Sequence, residues 1–227
     1  MRARNPPRTG CIFASCVRDG HKSGDRDAVR SQSRVGFVRI VRSFARSGLP
    51  CGGILRHHSD MTPNDLVLTP MGLRFQGRRY PCSIGWGGLS ACKREGDGAT
   101  PVGVHRIVGL LYRPDRMARP ADWAVPIRPS DLWCDDPGHE DYNLMIRKPF
   151  SHSHEVLHRA DPLYDLVLIT DWNWPYAERG RGSCIFLHQW RRPHYPTAGC
   201  IAFRRDHLIE IASKIRYESR LIVRPQP

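Results

Sequence analysis

No run in this 227-residue chain approaches eighteen consecutive apolar residues, so nothing in it reads as a membrane-spanning helix. No C-x-x-C pair occurs among the eight cysteines, and a chain of this length needs no disulfide framework to hold a core. Most of these thiols are therefore expected to be reduced structural residues. Internal repeats at the periods of solenoids or propellers are also missing. Acidic residues are scarce, 22 against 35 Lys and Arg, which leaves a formal charge of +13. At 40% hydrophobic and 25% charged the composition is that of a globular protein, which excludes wholesale disorder. The length fits one domain with an extension.

The basic excess is uneven. Residues 1–60 hold 12 Lys and Arg against 4 Asp and Glu, without a sustained hydrophobic period or the apolar core of a secretory signal. This segment is expected to be a disordered extension or a matter of start-site choice, since Met61 opens a cleaner globular pattern. A nucleic-acid-binding arm is the alternative. Basic tails are commonly just solvated, so no nucleic-acid partner is expected.

From Asp65 onward, short apolar runs alternate with Gly and Pro. The expected strands are 66–69, 73–75, 79–84, 104–111, 144–147, 163–170, 183–188 and 220–223, with a tight hairpin at Met71 and Gly72. The clearest helix starts at Asp206 as N-cap and runs to about Ile215, with Leu208, Ile211, Ala212 and Ile215 on one face. A second, short helix is expected over 153–159, between Pro149 and Pro162. The glycine-rich stretch 85–103 reads as a surface loop; it lacks the strand, helix and Gly-Lys-Ser/Thr ending of a phosphate loop.

Chemistry concentrates near the C-terminus. His188 ends the apolar strand Ile185-Phe186-Leu187, and Cys200 follows Gly199 in a turn before the 206–215 helix. Gly199 permits a positive φ, so amides around Cys200 are able to face a developing oxyanion. A cysteine attacks as its thiolate, and a neighbouring imidazole takes the proton and lowers the thiol pKa. His188 is the candidate base and acid, with a backbone carbonyl to fix its tautomer. Thr197 is positioned to bond within the turn or to help place substrate. With 8 Cys and 11 His, a Cys–His pair alone says little, and a buried structural Cys200 is the plain alternative.

These residues resemble the L,D-transpeptidase catalytic domain, the YkuD-type family, whose signature is a strand-terminal His followed by Ser/Thr-x-Gly-Cys. Here those are His188 and Thr197-Ala198-Gly199-Cys200, joined by Glu95-Gly96-Asp97-Gly98-Ala99-Thr100-Pro101-Val102-Gly103 and by Gly182-Ser183 leading into Ile185-Phe186-Leu187-His188. The likeness runs from about Leu66 to Val223. It implies a mainly β fold, a β-sandwich with one or two packed helices, over a catalytic domain spanning 61–227. It also implies cysteine-dependent cross-linking of peptidoglycan stem peptides through a Cys200 thioester, without metal or organic cofactor, in the periplasm or cell envelope of a bacterium. L,D-carboxypeptidase hydrolysis at the same site is a close variant. Ala198 and Ala202 stand where the family usually has His and Arg, so carboxylate recognition falls to other groups. Arg191, Arg192, Arg204 and Arg205 are candidates for it. Trp190 is a candidate substrate contact, with Trp172, Trp174 and Tyr176 either lining a groove or packing in the core.

Two metal readings compete. His154-Glu155-Val156-Leu157-His158 spells the H-E-x-x-H of zinc peptidases, and Cys184, His188, His194 and Cys200 have ligand chemistry. A non-catalytic binding module is the third class.

Overall fold

A computed structural model describes residues 61–225; the expectations for residues 1–60 lie outside them. In chain order the elements are β1 (Leu66–Thr69), β2 (Gly72–Phe75), β3 (Arg78–Tyr80), β4 (Cys82–Ser83), β5 (Leu89–Ser90), β6 (Thr100–Pro101), β7 (Gly103–Tyr112) and β8 (Val125–Pro126). They continue as β9 (Asp131–Cys134), β10 (Met145–Arg147), β11 (His154–Val156), a 3-10 turn (Pro162–Tyr164), β12 (Leu166–Thr170), β13 (Phe186–Gln189), β14 (Ile201–Phe203), α1 (Arg205–Lys214) and β15 (Arg220–Val223). The protein is mainly strand, as expected, with one α-helix among the described residues.

The large sheet runs β3-β2-β1-β15-β7-β12-β13-β14-β4, with β8 beside β7. Its two ends, β3 and β4, are separated in the chain by Pro81 alone. A residue with no N–H cannot continue a ladder, so the chain leaves one end of the path and joins the other. The result is a nearly closed, barrel-like β-sandwich.

Side-chain alternation divides the core into two. Along β12 Leu166 and Leu168 face a cluster with Leu187, Ile201, Phe203, Leu208 and Ile211, while Val167 and Ile169 face another with Trp133, Leu157, Tyr164 and Phe186. Every β12 residue is therefore buried, which explains its unbroken apolar spelling. Helix α1 covers the first cluster through Leu208, Ile211 and Ala212. Its N-cap is Arg204 and makes no side-chain cap bond. Asp206, expected to cap, lies in the first turn and pairs with Arg204 at 2.5 Å.

Two further expectations are overturned. Residues 153–159 form no helix: His154–Val156 is a strand paired antiparallel with β9, placing Glu155 opposite Trp133. Hydrogen bonds to a segment about twenty residues earlier outweigh a weak local preference for helix. The stretch 85–103 is also no simple surface loop. It contains β5 and β6 paired in parallel, and Gly98, Ala99 and Thr100 are buried.

Candidate active site

Strands β13 and β14 run parallel, with Leu187 opposite Ile201 and His188 opposite Ala202. Leu187, Ile201 and Phe203 point into the first cluster, so alternation turns Phe186, His188, Cys200 and Ala202 to the opposite face. On that face a cleft of about 380 Å³ opens, lined among others by Cys200, His188, Thr197, Trp190, Arg191 and Glu155. The fold thus brings the predicted nucleophile and base to one opening.

The turn holding Cys200 is braced from both sides. Gly199 has φ +138, and a Cβ there would lie 3.0 Å from the Ala99 carbonyl oxygen. The Thr197 hydroxyl donates to the Cys200 carbonyl at 2.5 Å and accepts from the Gly199 N–H at 3.2 Å. The buried Thr100 hydroxyl donates to the Gly199 carbonyl at 2.8 Å and accepts from the Gly85 N–H at 3.0 Å. Thr197 is further stitched by its N–H to the Ile84 carbonyl and by its carbonyl to the Trp86 N–H. Beneath them Gly98 lets the Trp86 indole lie flat, since a Cβ would fall 2.0 Å from the ring. The Gly-Asp-Gly-x-Thr-Pro stretch is therefore the support of the cysteine turn. The Gly199 N–H, expected among the oxyanion donors, is committed to the Thr197 hydroxyl.

The Cys200 thiol donates to the Cys184 carbonyl at 3.0 Å and accepts from the Phe186 N–H at 3.4 Å. The 8%-exposed His188 ring donates its Nδ1–H to the Gln189 carbonyl at 2.8 Å, since a carbonyl only accepts. Nε2 is left as the bare basic nitrogen. A backbone carbonyl thus holds the tautomer, as expected, and the Tyr164 ring stands edge-on to the imidazole at 5.3 Å.

Burial dominates the proton affinities. It pushes the Cys200 thiol up to about 12, with the Glu155 charge adding to the rise, while the Phe186 N–H and Lys93 oppose it. It pushes His188 down to about 4, against the Gln189 hydrogen bond. The expected lowering of the thiol pKa is overturned: burial raises the Cys200 thiol and lowers the His188 imidazolium, so both shifts favour the neutral forms.

The remaining candidates divide. Trp190 and Arg191 line the cleft. Arg192 does not; its guanidinium lies 4.8 Å over the exposed Tyr195 ring. Arg204 pairs with Asp206 and Arg205 with Asp165, so neither forms the carboxylate clamp. Trp174 packs on the second core cluster, Trp172 carries the Arg181 guanidinium on its ring, and Tyr176 is 86% exposed. His154 and His158 lie on or after a strand rather than on one helical face, and His194 is exposed. Among the described residues no group of three His, Cys, Asp or Glu is arranged to hold a metal ion. Both metal readings are corrected on that geometry.

The site also holds residues whose roles the sequence does not give. Asn143 accepts from the Trp133 indole N–H (3.0 Å) and the Cys184 N–H (3.1 Å), and donates to the Trp172 and Asn173 carbonyls, so it positions the carbonyl that meets the thiol. The buried Lys93 ammonium bonds Asp97 at 2.6 Å beneath the same loops. Glu155 stands out in the sequence only as part of a zinc motif, and Asn143 only as part of a loop near the site, with no local signal of its role.

No helix among the described residues is long and apolar enough to cross a membrane. Comparison with curated proteins and with solved structures gives no match. Residues 73–223, well over half of the chain, match the profile of YkuD, the L,D-transpeptidase catalytic domain. The match spans the cysteine turn, the base-bearing strand and the loop that braces them, and the chain belongs to the L,D-transpeptidase catalytic-domain family.

Proposed function

We propose that the protein transfers acyl groups between peptidoglycan stem peptides through a thioester on Cys200, in the periplasm or cell envelope. The observation that carries this reading is the shared cleft of Cys200 and His188, with Nδ1 of His188 committed to a carbonyl and Nε2 bare.

The donor carbonyl enters beside the sulfur. As the C–S bond forms, the thiol proton passes to Nε2, so no thiolate–imidazolium pair has to precede attack. The Cys200 amide is placed here as the main-chain donor to the developing oxyanion, since the Gly199 N–H bonds to Thr197. The imidazolium then protonates the departing amine, and an acceptor amine releases the acyl group from sulfur. Thr197 acts as a positioning residue by holding the Cys200 carbonyl. Arg191 is the guanidinium left in the cleft for a substrate carboxylate, where Ala198 and Ala202 offer none. Hydrolysis of the same thioester would make the protein an L,D-carboxypeptidase.

The test is incubation of purified protein and its Cys200→Ala variant with peptidoglycan tetrapeptide fragments, read by mass spectrometry. A thioester on the Cys200 peptide and cross-linked dimers, both lost in the variant, are expected. Hydrolysed monomer alone would assign a peptidase, and unchanged activity in Cys200→Ala would end the cysteine reading.

A further inference from the structure

The cleft is lined by two half-buried carboxylates, Glu155 and Asp135, that thioester formation does not use. Glu155 sits on β11 and lines the same opening as Cys200 and His188. Its contacts are long: the Tyr164 hydroxyl at 3.4 Å and the Arg159 guanidinium at 3.9 Å. Arg159 is committed elsewhere, with two bonds to Asp161 at 2.9 and 2.7 Å and its guanidinium carbon 5.2 Å over the Tyr164 ring. Asp135, also lining the cleft, keeps one carboxylate oxygen buried without a hydrogen-bond partner. Arg191 is the cationic side chain lining the cleft among the described residues, and Lys93 is bound to Asp97.

The reaction demands something of this wall. An acceptor amine arrives at neutral pH as an ammonium and cannot attack until it loses a proton. His188 must by then take a second proton and pass it to the sulfur. We propose that Glu155 receives the acceptor's primary ammonium and takes its first proton, making it the catalytic residue of the second half-reaction; this rests on the thioester reading. The ammonium proton passes to the Glu155 carboxylate and the neutral nitrogen attacks the thioester carbonyl. As the C–N bond forms and the C–S bond breaks, the second nitrogen proton moves through His188 Nε2 to the Cys200 sulfur. The protonated Glu155 then releases its proton to water. Burial and the Asp135 charge hold the Glu155 carboxyl above the usual range, which makes it a better base than a surface carboxylate.

The experiment separates the two halves. Thioester formation on Cys200 and the ratio of amide to acid products are measured for the protein and for Glu155→Gln, with a peptide amine and with hydroxylamine, which is uncharged at neutral pH. Glu155→Gln removes a charge that raises the Cys200 thiol, so thioester formation at least as fast as the parent's is expected, with the amide-to-acid ratio for the peptide amine down at least about tenfold and that for hydroxylamine unchanged. An unchanged ratio with the peptide amine overturns the proposal. So does equal loss with both nucleophiles, or loss of thioester formation in the variant, either of which would make Glu155 a scaffold residue. Failure of the parent protein to form a thioester would instead refute the reading beneath it.

Discussion

At Cys200, the decisive quantity is the cost of charge. Burial pushes the Cys200 thiol up to about 12, which leaves little thiolate at neutral pH. Alkylation of Cys200 by iodoacetamide in the free protein is therefore expected to rise about tenfold per pH unit up to pH 10 and beyond, without a plateau between pH 5 and 8. The exposed Cys92 supplies an internal comparison in the same peptide map. A plateau at neutral pH would reveal a standing thiolate–imidazolium pair and contradict the neutral resting site. In the proposed mechanism the bound substrate would then take part in its own activation, with proton transfer from the thiol accompanying attack rather than preceding it.

Among the elements, the cysteine turn depends on a strand a hundred residues away. The Thr100 hydroxyl serves two buried main-chain groups, so Thr100→Val leaves both without partners and is expected to cost about 2–4 kcal/mol. Thr100→Ser keeps the hydroxyl and should retain most of the stability and turnover. Thermal melts and steady-state rates of the two variants check this; equal behaviour would show that the brace carries little. The pair of motifs around Thr100 and Cys200 is legible because each spells an unusual combination of residues, and β1, β15 and the apolar face of α1 follow from periodicity. Their contact is not legible, because a hydrogen bond from Thr100 to Gly199 leaves no trace in either local pattern. Residues 154–158 mislead for a related reason. Polar and apolar residues there suit a helical turn or a short strand equally, and the choice is made by β9, whose own spelling offers no cue. Asn143 is silent because a satisfied buried amide looks, in sequence, like any turn asparagine.

For the molecule as a whole, two buried neutral histidines set a lower limit of pH. His188 is held at about 4 against an ordinary 6.5, and burial lowers His105 in the same direction. The unfolded chain therefore binds protons that the native state refuses. Their contribution is complete above pH 6.5 and is lost as pH falls toward 4, by up to about 3 kcal/mol for His188. Glu155 and Asp171, whose carboxyls burial raises, act in the opposite direction over part of this range. The melting temperature of His188→Gln is accordingly expected to fall less than the parent's between pH 7 and 4.5, by a margin of about 5–10 °C. Parallel declines in both proteins would contradict a buried neutral imidazole.

The parallel pairing of β13 with β14 carries one last consequence. Antiparallel neighbours can be joined by two residues, but strands that run the same way oblige the chain to travel back the full length of one before starting the next. Here that return path is residues 190–200, and it supplies Trp190, Arg191, Tyr195, Pro196, Thr197 and Ala198 to the rim above the sulfur. The canopy over the nucleophile is thus a geometric by-product of strand direction. Lengthening it would reshape which acyl chains gain entry while leaving the scaffold intact, and trimming it much further would forbid the pairing that aligns thiol and imidazole.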